Sequence, residues 1–197
     1  DDDALLKTSL TKSIKYLSFL SIPLAVGTLF YGQDVIILCF GSKFSEAGIV
    51  LSILTWTICF LFINGASVTT LNAAHKERLV TVMYFFTCIF NIVLNLLLIP
   101  KYNVYGAALA TILSDVLLLI LAMIMLKRVN QLPNTGIILD LLKIIFASGV
   151  MGLVLHTLKL NLWLAIPVGI VVYLALIVIV KAIDVEDKLI FRNILGK

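Results

Sequence analysis

Two asparagines, Asn91 and Asn95, stand four residues apart in the run NIVLNLLLIP, and a carboxylate, Asp115, stands inside the next apolar run, ATILSDVLLLI. At about 100° per residue in a helix, Tyr84, Cys88, Asn91 and Asn95 fall on one stripe of an otherwise Ile/Val/Leu/Phe segment. Ala108, Thr111, Asp115 and Ala122 share a face of the following segment, with Thr111 one turn below the acid. Earlier in the chain Gly65, Thr69 and Asn72 form a third stripe with Asn64 beside it, and later Gly149, Gly152 and His156 form a fourth. Amides and hydroxyls at such positions have two uses. They glue helices together, each bond contributing about 0.6 kcal/mol and at most about 2. Alternatively they line a hydrated cavity for a polar substrate. An ionised Asp near a bilayer centre costs about 2.5–3.5 kcal/mol on insertion scales, and such residues usually mark pathways or partners. The candidate cavity residues are therefore Asn64, Asn72, Asn91, Asn95, Thr111 and Asp115. Glycines and alanines such as Gly106, Ala107, Ala110 and Gly152 permit close backbone approach.

Other chemistry is not indicated. The sequence contains no GxGxxG, Walker loop, GxSxG or HExxH motif. It offers no nucleophile paired with a base and no basic-aromatic surface for nucleic acid. Cys39, Cys59 and Cys88 are dispersed within apolar runs, so they read as small buried residues rather than disulfides or metal ligands. No enzyme, cofactor or metal centre is expected.

The elements that carry these residues follow from composition. Of the 197 residues, 61% are hydrophobic and only 13% charged, whereas soluble domains are roughly half apolar and about a quarter charged. The charges gather in short clusters between apolar runs of about 18 residues or more, the length that crosses a bilayer as helix. The pattern predicts an all-α, polytopic membrane bundle of six transmembrane helices over residues 14–183, with spans at about 14–40, 46–74, 79–99, 104–126, 137–158 and 162–183. The first span contains Pro23, Gly27 and Gly32 and is expected to break near Gly32. The third is expected to stop at Pro100, which cannot continue the hydrogen-bond ladder. Residues 1–13 read as an amphipathic cytoplasmic lead-in, and 184–197 as a cytoplasmic tail, either interfacial or solvated. Asp1–Asp3 lack the basic start of a signal peptide, and the chain is expected to be the C-terminal part of a longer protein.

Orientation follows from the cations. Lys7, Lys12, Lys15, Lys76, Arg78, Lys127, Arg128, Lys143, Lys181, Lys188, Arg192 and Lys197 fall on one set of connections, and only Lys43, Lys101 and Lys159 on the other. Cytoplasmic loops carry the excess of Lys and Arg, so both ends are placed inside, which an even number of spans satisfies. Lys143 reads as a snorkelling cation. Asp34 and His156 sit near outer helix ends, the first solvated and the second packed.

Three stretches resemble a known family. The phrase from Asn91 to Thr111, NIVLNLLLIPKYNVYGAALAT, is similar to the C-terminal half of polysaccharide-export flippases of the MATE-like multidrug/oligosaccharidyl-lipid/polysaccharide exporter superfamily. DVIILCFGSKFSEAG, Asp34 to Gly48, looks like that family's link between its seventh and eighth helices, and AAHKER, Ala73 to Arg78, like its short cytoplasmic turn after the eighth. The resemblance implies one lobe of a two-lobed transporter in the cytoplasmic membrane. That transporter moves lipid-linked oligosaccharide or polysaccharide precursors by alternating access. It implies as partners a lipid-linked sugar, membrane lipids, a missing N-terminal six-helix lobe, and a coupling cation or the membrane potential as driving force. Amides suit uncharged, hydroxyl-rich sugars because they both donate and accept, and Asp115 is the candidate protonatable group. Two alternatives stay open: a MATE-type cation-coupled drug antiporter lobe, which would favour more intramembrane carboxylates, and a non-transporting assembly subunit whose polar stripes are glue only.

Overall fold

The computed structural model describes residues 2–182 and is all-helical. Its elements are α1 (Asp2–Phe40), a 3-10 turn at Ser42–Phe44, α2 (Ala47–Ala73), α3 (Glu77–Arg128), α4 (Gly136–Leu158) and α5 (Leu162–Ile179). Among the described residues five helices are long and apolar enough to cross a membrane. The expected tail, 184–197, lies outside the described residues.

The count of five rather than six comes from α3, which holds both the third and fourth expected spans in one 52-residue element. That element is not straight. Asn103 adopts φ 50°, ψ −127°, a positive-φ conformation outside the left-handed helical region, and one that glycine enters most readily. In a continuous helix Asn91 and Ser114 would lie about 35 Å apart, at about 1.5 Å per residue. Instead their side chains are 2.9 Å apart. A Cβ on Gly106 would strike the carbonyl carbon of Leu98 at 2.6 Å. The chain therefore doubles back at Asn103, and Gly106 is the residue that lets the returning leg approach. The expected stop at Pro100 is displaced: helix continues past the proline, because loss of one N–H need not end a ladder, and reversal waits for Asn103.

α1 is also not broken at Gly32, as expected from the sequence. It runs unbroken for 39 residues, and Gly32 is a contact point instead of a hinge. A Cβ there would collide with the Ser52 hydroxyl, and one on Gly48 would meet the Cα of Gln33 at 2.5 Å. Ser52 Oγ donates across the crossing to the Thr28 carbonyl at 2.6 Å. Small residues here draw two backbones together.

Pro23 has a consequence one turn earlier. Lacking an N–H, it leaves the Phe19 carbonyl without its usual helical donor. The Tyr173 hydroxyl of α5 donates to that carbonyl at 2.7 Å, and the two rings pack with centroids 5.3 Å apart. A freed carbonyl inside an apolar bundle thus becomes the anchor for the last helix.

α1 is the central helix, with α2 on one side and α4 and α5 on the other; α2 in turn carries α3. The buried faces follow helical spacing: Ile144, Ala147, Met151 and Leu155 on α4, and Ala165, Gly169, Tyr173 and Ile177 on α5. Their opposite faces expose residues such as Ile138, Leu153, Trp163 and Val171, as lipid contact requires. At one end a buried ion pair joins α1 to α4. Lys15 Nζ lies 3.1 Å from Asp140 Oδ2, with side chains only 9% and 16% exposed. Lys143 Nζ approaches the same carboxylate at 3.9 Å and donates to the Lys181 carbonyl at 3.1 Å. Lys143, read as snorkelling, is part of this cluster.

The Tyr173–Phe19 bond should be measurable. Tyr173→Phe is expected to lower stability by about 1 kcal/mol. In a Pro23→Ala background, where the helix supplies its own donor, the loss should be smaller. Equilibrium unfolding of the four variants in detergent, read as a double-mutant cycle, checks the coupling.

Candidate translocation face

The polar stripes of the sequence separate onto two faces of α2. Asn64, 3% exposed, points toward α3, where its Nδ2 donates to the Asp115 carbonyl at 3.1 Å. Gly65, Thr69 and Asn72 are exposed on a different face. Gly65 and Thr69 border a groove of about 410 Å³ between α2 and the N-terminal half of α1, where Ser9 and Ser13 look back at them. None of the residues lining this groove carries a charge. The Thr69 and Thr70 hydroxyls donate to carbonyls one turn back on their own helix, Gly65 at 2.8 Å and Ala66 at 3.0 Å. Each hydroxyl oxygen still has acceptor capacity. Leu6, Leu10, Leu17, Leu61, Phe62, Ala66 and Ala73 make up most of the rest of the lining, so the groove is an apolar cleft with a hydroxyl strip along it.

The remaining candidates lie in and along α3. Asn91 Nδ2 donates to Ser114 Oγ at 2.9 Å, and Asn95 Nδ2 donates to Asn91 Oδ1 at 2.9 Å. Ser114 in turn donates to the Ala110 carbonyl at 2.7 Å. This chain of bonds clamps the two legs of α3, and both asparagines are half-buried. Tyr84 and Cys88, expected on the same stripe, are exposed, while Thr87 takes the buried position. Thr111 is half-buried and donates to the Ala107 carbonyl at 3.0 Å. Asp115 is half-buried beside Asn64. The structure therefore brings together Asn64 with Asp115, and Asn91 with Asn95; Asn72 stands apart, exposed near the end of α2.

Residues that the sequence reading passed over are Ser9, Ser13, Ser114 and the Lys15–Asp140 pair. Asp140 had a visible signal, since it precedes Lys143 by three positions on one helix. Ser9 and Ser13, four apart in the lead-in, showed their role only once α1 proved continuous and laid them against α2. Among the described residues, no group of His, Cys, Asp and Glu could hold a metal ion.

Comparison with known proteins decides the family. Residues 1–176 match the family model described as lipid II flippase MurJ. The chain belongs to the MurJ flippase family. Its relatives include the probable flippase AglR of Haloferax volcanii, 31% identical over 171 residues, which are 83% of this chain and 34% of AglR. The capsular polysaccharide biosynthesis protein CapF of Staphylococcus aureus is 30% identical over 124 residues, 61% of this chain and 31% of CapF. A solved structure of lipid II flippase MurJ in an inward closed conformation shares the fold, with TM-score 0.74 at 24% identity, over 95% of this chain and 39% of that one. This MurJ-family chain thus spans about a quarter to two fifths of the proteins it matches. It is a multi-pass membrane protein.

The amide clamp predicts a stability effect. Asn91→Leu removes the bond to Ser114 and the acceptor of Asn95, and should cost about 1–2 kcal/mol. Adding Ser114→Ala should cost little more, because the shared bond is already gone. Unfolding of the single and double variants in lipid bicelles reads both values.

Proposed function

We propose that this chain is one lobe of a flippase that carries lipid-linked oligosaccharide or polysaccharide precursors across the cell membrane, and that the α1/α2 groove is its contribution to the cargo path. The observation that carries this reading is the groove's lining. Ser9, Ser13, Gly65 and Thr69 set a strip of hydroxyls and bare backbone among Leu6, Leu10, Leu17, Leu61 and Phe62, a mixed lining that suits a cargo with both a sugar and a lipid part. Uncharged hydroxyl donors and acceptors fit sugars better than cationic drugs. Asn72 extends the same face, and Asn64, Asn91, Asn95, Thr111 and Asp115 form the polar support behind it on α2 and α3.

In this reading the two legs of α3 are separate crossings, which makes six in all and puts both termini of the lobe on the cytoplasmic side with the Lys/Arg excess. A second six-helix lobe, contributed by the rest of a longer protein, closes the groove into a cavity. The lobes rock to expose that cavity to one side and then the other, driven by a coupling cation or the membrane potential. The protein acts as a transporter without catalytic chemistry, and the relatives named as flippases support that class.

Filling the groove tests the proposal. In the full-length protein, Ser13→Trp and Thr69→Trp should each lower flipping of a lipid-linked oligosaccharide by an order of magnitude while leaving the yield of folded protein near wild type. Ile138→Trp, on the exposed face of α4, should leave flipping unchanged. Groove-filled variants that transport at the wild-type rate would remove the groove from the path.

A further inference from the structure

The seam between α2 and α3 holds an acceptor without a donor. Asn64 spends its amide N–H on the Asp115 carbonyl, but its Oδ1 is buried with no hydrogen-bond partner. A buried polar atom left unpaired costs about 1–3 kcal/mol, so its neighbours warrant an inventory. Three hydroxyls on α2 and the second leg of α3 are already committed. Ser67 donates to the Ile63 carbonyl at 2.8 Å, Thr111 to Ala107 at 3.0 Å and Ser114 to Ala110 at 2.7 Å. Thr87 on the first leg of α3 and Ser18 and Ser21 on α1 are buried hydroxyls without a partner of their own, but the residue that Asn64 is seen to bond on α3 is Asp115, whose carbonyl it holds. Its carboxyl makes no hydrogen bond or ion pair among the described residues. As a carboxylate it is an acceptor only; with a proton it becomes a donor.

We propose that Asp115 and Asn64 form a proton-binding pair within the lobe. A proton adds to the Asp115 carboxylate, and the resulting O–H donates to Asn64 Oδ1; release of the proton to water breaks that bond and leaves both groups as acceptors. The α2–α3 contact then differs between the two forms by one hydrogen bond, which gives a proton a means to bias how the two helices pack. Asp115 is only half-buried, so the proton has access from outside the seam. α1 and α4, which share a core with α3 through Leu10, Ile14 and Ile137, bring Lys7, Lys12, Lys15, Asp140 and Lys143, of which Lys15 and Lys143 lie against Asp140. α2, from Ala47 to Ala73, has no Asp, Glu, Lys, Arg or His, and its Cys59 belongs to the core around α1, α4 and α5. On α3 the other charged groups are Glu77, Arg78, Lys101, Lys127 and Arg128, all at its ends or at the reversal, and its Tyr84, Cys88, Tyr102 and Tyr105 are exposed. The proposal deepens the flippase reading by naming the proton as the coupling cation, yet the proton site can be tested without transport.

Infrared difference spectroscopy of the full-length protein, titrated with acid in lipid, reads the carboxylic-acid carbonyl stretch directly. The expected result is a band that Asp115→Asn abolishes and that Asn64→Leu moves to higher frequency, because the donated bond is gone. A titration in which Asp115→Asn removes no such band anywhere in the pH range of the folded protein overturns the proposal. So does a band that Asn64→Leu leaves in place. In a flipping assay, Asp115→Asn should flatten the pH dependence of the rate. A wild-type protein that shows the infrared band but flips nothing contradicts the flippase reading while leaving the proton site standing.

Discussion

Hydrocarbon offers no hydrogen bonds, and nearly every feature of this helical chain follows from that. Helices satisfy their own backbones, so the chain is helix almost throughout. Where a helix fails to do so, a neighbour must. Pro23 cannot bond the Phe19 carbonyl, and Tyr173 arrives from another helix to do it. Side-chain amides obey the same rule: Asn91 and Asn95 are joined to each other and to Ser114 across the reversal of α3. The rule is not met everywhere: Asn64 Oδ1 is orphaned in the α2–α3 seam, and the hydroxyls of Ser18, Ser21, Thr87 and Ser148 are buried without partners as well.

Packing explains how these sites are held. Gly32 and Gly48 bring α1 and α2 into backbone contact at one end. Toward the other end the same two helices leave the groove between them. That end of α1 is secured from behind: Lys15 pairs with Asp140 of α4, and Thr11 and Asp3 accept hydrogen bonds from Asn134 and Gln131 of the α3–α4 connection. One wall of the groove, α1, is thus backed by α4 and α5, and the other wall, α2, is backed by α3.

The membrane class, the helical content and most helix boundaries were legible in the sequence because apolar length and charge clusters carry them directly. The polar stripes were legible too, since 3.6-residue periodicity places Gly65, Thr69 and Asn72 together without any tertiary knowledge. Their partners were not. Whether Asn91 meets lipid, water or Ser114 depends on the reversal at Asn103, and nothing in a one-dimensional pattern separates a proline that ends a helix from one that the helix passes through. The same blindness made Gly32 read as a break: a glycine needed for flexibility and a glycine needed for close approach look alike until the opposing backbone is known. Ser9 and Ser13 were read as part of a lead-in because the apolar run begins after them, although the helix that carries them begins earlier.

The account rests on the groove being wet. Spin labels placed singly at Gly65 and Thr69 of the full-length protein in lipid, and at Leu153 on the exposed face of α4 for comparison, report contact with a water-soluble nickel chelate against contact with membrane-dissolved oxygen. The account predicts that the α2 labels favour the chelate and Leu153 favours oxygen. Oxygen-dominated contact at Gly65 and Thr69, matching Leu153, would contradict it.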